Sequence, residues 1–124
     1  MKIAAIILAA AVTAVPWQAA LSNPYDGSYT GIQTLTRAVS AQGCTGTVGL
    51  QQQRTLAIAD GKFSFMFNRA YNVLVTGVVS ADGSLDGFAN SSAGGTRLTG
   101  NIQGTTFTGE VHSGYCEYSL RLVR

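Results

Sequence analysis

The sequence predicts an all-β domain: a small antiparallel up-and-down meander, closed into an eight-strand barrel, with a two-sheet β-sandwich as the alternative. Three observations predict it. Past the N-terminal leader, apolar and polar residues alternate along most of the chain, and no stretch carries a 3.6-residue apolar period. Turn residues, above all Asp-Gly pairs, separate the alternating segments. Four consecutive segments also hold a glycine in the middle of their apolar line: Val75-x-Gly77-x-Val79, Leu85-x-Gly87-x-Ala89, Leu98-x-Gly100-x-Ile102 and Phe107-x-Gly109-x-Val111. Side chains alternate faces along a strand, so each glycine points the same way as its apolar neighbours. A strand glycine costs roughly 0.5–1 kcal/mol relative to alanine. Four in register therefore signal a sharply curved sheet, with bulky side chains or a ligand filling the space they leave.

The first segment is read as a leader. Met1 and Lys2 give a positive start, residues 3–15 form an uncharged apolar run, and Pro16 and Trp17 break it. Ala20-Leu21-Ser22 offers small residues to a signal peptidase, so a signal peptide over 1–22 is expected to be cleaved. The apolar run is shorter than the roughly 20 residues of a spanning helix. Residues 23–124 then make one small domain, not membrane-spanning, in the periplasm or secreted.

Strands follow in order. The turn Asn23-Pro24-Tyr25-Asp26-Gly27 leads into a first strand near 28–37; a second is expected near 45–50 and a third near 54–59. Asp60-Gly61 then supplies the positive φ angles of a tight hairpin turn. Phe63-x-Phe65-x-Phe67 places three rings on one face of the next strand, and residues 68–71 turn the chain into Val73–Val79. Asp82-Gly83 makes a second turn before 85–90, and 91–95 is a Ser/Gly loop. Strands near 97–102 and 105–112 pair across Gln103-Gly104, and 115–123 closes the chain. A weak repeat links Thr76-Gly77-x-Val79 and its following turn to Thr99-Gly100-x-Ile102 and its own. The repeating unit is a hairpin, the mark of a meander in which strands pair with their sequence neighbours. Eight or nine short strands suffice to close a barrel and remove exposed edges. Polar outward lines such as Thr99, Asn101 and Thr106, Thr108, Glu110 argue against an outer-membrane barrel, whose outward line faces lipid.

Charge narrows the partners. Without Lys2, seven basic residues stand against six acids, a net charge of +1. The basic residues are scattered and form no stripe able to neutralise several phosphates, so no nucleic acid is expected. Cys44 and Cys116 are the only cysteines, and in an oxidising compartment they are expected to pair as a disulfide.

Few residues invite chemistry. His112 is the only histidine and lies on a polar line beside Glu110, with no Gly-x-Ser-x-Gly frame around it. Asp26, Asp60 and Asp82 each precede a glycine, where aspartate bonds its own turn backbone. One histidine with paired cysteines leaves no transition-metal site, and no cofactor or enzymatic activity is expected. Phe63, Phe65 and Phe67 either fill the space opposite the glycine line or wall a cavity for an apolar ligand. In the second case Gly77, Gly87, Gly100 and Gly109 give room, and Tyr29, Tyr71 and Tyr118 give polar handles. Cys116, Tyr118, Leu120 and Leu122 share the inward face of the last strand, which makes Tyr118 a core residue on the first reading.

The opening Tyr25-Asp26-Gly27-Ser28-Tyr29-Thr30-Gly31 and the closing Cys116-x-Tyr118-x-Leu120-x-Leu122 resemble small secreted bacterial β-meander proteins. More distantly, Gly27-x-Tyr29 at the first strand and Arg121 near the end resemble the calycin-like barrels, which include lipocalins, avidins and small bacterial protease inhibitors. The resemblance implies an eight-strand barrel. The leading reading of the chain is a non-enzymatic barrel that binds a small apolar molecule or a protein partner. Two further functions stay open. One is protease inhibition through residues 23–26 or 91–95, the other surface assembly through Gly/Thr/Gln-rich strands.

Overall fold

A computed structural model of the chain describes residues 23–39, 44, 46–91 and 94–124. The expected signal peptide, residues 1–22, lies outside them, as do Thr45 and, within the loop expected over 91–95, Ser92 and Ala93; Ser91, Gly94 and Gly95 belong to strands. The described residues form eight antiparallel strands: β1 Gly27–Ala38, β2 Gln51–Ala59, β3 Lys62–Asn68, β4 Val73–Val79, β5 Ser84–Ser91, β6 Gly94–Gln103, β7 Thr106–Ser113 and β8 Cys116–Val123. Each strand pairs with its sequence neighbours, and β1 pairs with β8 to close the barrel. The expected barrel is therefore the observed one.

Local chemistry explains the turns. Asp60 and Gly61 both take positive φ (55° and 74°) and link Ala59 to Lys62 as a two-residue hairpin. The strand expected over 45–50 does not form among its described residues. Gly46 and Gly49 take positive φ (83° and 99°), and the Leu50 N–H bonds back to Thr47 O at 2.9 Å. The segment instead folds against β1, with Gly49 N–H on Leu35 O (2.8 Å) and Leu35 N–H on Leu50 O (3.0 Å). That removes the ninth strand. Cys44, at this loop, is bonded to Cys116 at the start of β8, the two Cα atoms 5.7 Å apart.

Inward side chains fill the barrel, among them Tyr29, Leu56, Phe65, Val75, Leu98, Phe107, Val111 and Leu122, all fully buried. The glycine line is covered by the protein's own rings. A β-carbon on Gly77 or Gly87 would strike the Phe63 ring, and one on Gly100 or Gly109 would strike Phe107. Backbone oxygens crowd the same positions: Asp86 O lies 2.7 Å from a Gly77 β-carbon and Thr76 O lies 2.6 Å from one on Gly87. Close approach of ring and neighbouring strand is the reason these positions are glycine.

The two ends differ. At the end holding the Asp60-Gly61 and Asp82-Gly83 turns, the N-terminal segment is stitched across the opening. Asp26 accepts from Asp60 N–H (3.0 Å) and Gly61 N–H (3.2 Å), and the Tyr25 hydroxyl donates to Ala81 O (3.0 Å). Arg124 donates to Pro24 O and Asp26 O, both at 2.9 Å, and lies over the Tyr29 ring, 5.5 Å from its centroid. Arg121 stands on the outward, exposed line of β8. The opposite end carries the longer loops, the disulfide and the exposed rings of Tyr71 and Tyr115.

Candidate functional site

The barrel wall is incomplete at the loop-rich end. Strands β2 and β3 pair from Ala59–Lys62 only as far as Leu56–Phe65. Beyond that point β3 follows β4, with a register shift between Met66 and Asn68 that inserts Phe67 as an extra residue. Such a bulge bends its strand and re-aims a side chain, and barrel rims are a common place for one. β2 meanwhile stays on β1, pairing Gln51 with Thr34 and Arg54 with Gly31. The strands part, and a cleft of about 420 Å³ opens between residues 52–55 and 66–69. Its size falls within the range of small-molecule pockets.

Polar side chains line it. Gln52 and Arg54 share the inward line of Leu56 and Ile58. Arg54 Nη1 donates to Gln53 O (3.1 Å) and Nη2 to Gln52 Oε1 (3.2 Å), while Nε is buried with no acceptor. Burial pushes the Arg54 guanidinium below its ordinary pKa, opposed by the nearby Tyr118 phenol. Gln33, in register with Gln52, is 1% exposed, and its Oε1 has no donor. Among the described residues, Gln33 Oε1 and Arg54 Nε are the buried side-chain polar atoms without a partner. Both belong to the same stretch of the β1–β2 ladder. Phe67 and Met66 form the opposite wall, and Phe67 stands edge-on to Tyr118, centroids 5.2 Å apart.

The residues singled out from sequence divide sharply. Phe67 lines the cleft, and Tyr118 supports it from within. Phe63, Phe65 and the four glycines belong to the packed interior. Tyr29 closes the other end, its hydroxyl donating to Tyr25 O at 2.7 Å; burial raises its pKa, with Arg124 pulling the other way. Tyr71 is exposed, in the loop between β3 and β4. His112 stands on the outer wall, Nε2 3.1 Å from Glu110 Oε1 and Nδ1 3.8 Å from Glu117 Oε2. Among the described residues, no group of three or more His, Cys, Asp or Glu side chains is placed to hold a metal. No helix among them is long and apolar enough to cross a membrane, which says nothing of a barrel.

Sequence reasoning missed Arg54, Gln33 and Gln52. Its signal was there: in Gln52-x-Arg54-x-Leu56-x-Ile58 a charge sits in phase with the apolar line. No protein-family model, curated protein or solved structure matches this chain.

Proposed function

We propose that this chain is an exported, non-enzymatic barrel that binds a small, largely apolar molecule in the cleft between β2 and β3. The parting of these strands beyond Leu56 and Phe65 carries the reading, because it opens a pocket-sized space beside an otherwise packed interior. The glycine line is not that space, since Phe63 and Phe107 occupy it. The Cys44–Cys116 disulfide supports an oxidising compartment and so an exported protein.

The test is mass spectrometry of protein recovered gently from the periplasm, native and denatured side by side. The denatured mass is expected to begin at Asn23 and to lack two hydrogens. Extra mass seen only in the native spectrum is the expected ligand. A bare monomer that also ignores a panel of apolar probes would defeat the reading. Val39, Val48, Tyr71 and Tyr115 favour a protein partner as the second reading, because they expose apolar surface at this same end.

A further inference from the structure

Resting on the reading of the cleft as a ligand site, we propose that its ligand is an anion: a carboxylate carried on an apolar body and held by Arg54. A charge inventory leads there. Asp26, Asp60 and Asp82 all sit at the opposite, stitched end, where Asp26 caps Asp60 and Gly61 and Asp82 bonds Ser84. Asp86, Glu110 and Glu117 stand on the outer wall with Arg97, His112 and Arg37. These six are every acidic side chain in the sequence, and none pairs with Arg54.

Arg54 nevertheless sits on an inward line, half-buried. Among the described residues its Nη groups meet only neutral acceptors, and its Nε meets none. Arginine stays protonated at any ordinary pH, and a charge drawn out of water is costly without a matching one. The cleft walls hold two arginines, Arg54 and Arg69, and no acid. A carboxylate entering there supplies the missing counter-charge, and its planar oxygens fit the guanidinium fork. Met66 and Phe67 offer the body its apolar surface.

Three probes of equal chain length test this on the oxidised, processed protein: decanoate, decanol and decyltrimethylammonium, followed by backbone amide NMR. Decanoate is expected to shift the amides of 52–55 and 66–69 and to bind about tenfold tighter than decanol, the scale of a hydrogen bond to a charged group. Added salt should weaken decanoate and leave decanol unchanged. Arg54→Gln should abolish the preference while decanol still binds; should that variant not fold, the salt dependence of the parent and of Arg69→Gln decides. Equal, salt-independent affinity for decanoate and decanol at the cleft would reject the carboxylate and leave an apolar site standing. Tighter binding of the cation would reject it too. Silence of the cleft amides toward all three probes would remove the ligand reading itself.

Discussion

Phe67 and Tyr118 meet across the barrel interior, their ring planes 69° apart, and so tie the bulge of β3 to the closing strand β8. An edge-to-face pair of this kind adds about 0.5–1.5 kcal/mol beyond the area it buries. It also braces the β3 wall of the cleft, which beyond Phe65 is paired to β4 alone.

The pair should therefore couple energetically. Phe67→Leu and Tyr118→Leu, singly and together, are expected to give a double-mutant coupling near 1 kcal/mol in urea unfolding. Strict additivity would mean that the rings only fill space.

A methyl group on the glycine line should be costly. Gly87→Ala places its β-carbon against Phe63 and within 2.6 Å of Thr76 O. The expected loss is about 1–3 kcal/mol, with a lower denaturation midpoint and unchanged slope. Pairing it with Phe63→Leu should recover part of the loss, because the ring can yield and the backbone oxygen cannot. Full stability in Gly87→Ala would show that the two strands can separate freely there.

The Cys44–Cys116 bond closes a loop of 72 residues. Replacing both cysteines by serine is expected to lower stability by about 2–5 kcal/mol. Urea unfolding of the variant beside the oxidised parent measures this; equal midpoints would assign the bond no role in stability.

Acid should act through two surface carboxyls. Ser84 holds Asp82 below the usual carboxylate range through its hydroxyl (2.7 Å) and its N–H (3.1 Å). Arg97 does the same to Asp86 through a two-point bond at 3.0 and 2.7 Å. Both folded values lie below the unfolded value near 3.9, so the folded chain binds fewer protons in between. Their contribution is present above about pH 4 and fades as pH falls through the lower folded values. Thermal unfolding from about pH 5 to about pH 2 should show a shallower decline in an Asp82→Asn, Asp86→Asn double variant than in the parent. Parallel curves would contradict the assignment.

Much of the barrel was legible because local chemistry decides it. Asp60-Gly61 reads as a tight turn and is one, and Val73–Val79 alternates from end to end as a strand does. The segment near 45–50 misled because alternation there is real, yet Gly46 and Gly49 take backbone conformations that end a strand. The cleft was not legible. It depends on where pairing between β2 and β3 stops, which follows from the bulge at Phe67 and from the hold of β1 on β2. Neither is a property of one segment. The inward charge of Arg54 was visible in the alternation, but its lack of a counter-charge became meaningful only once the acids had been placed in space.

The pairing of β1 with β8 has a consequence for biogenesis. The first strand to be synthesised must wait for the last before the ring shuts. Until then each keeps a row of unpaired backbone groups, open to any neighbouring chain. Its longest-range contacts come last, a topology that slows folding and prolongs that exposure. Cys116 opens β8, so oxidation to Cys44 would pin the final strand to the loop that follows the first. A truncation that removes β8 would then leave the other seven strands synthesised, but with no partner to complete the circle.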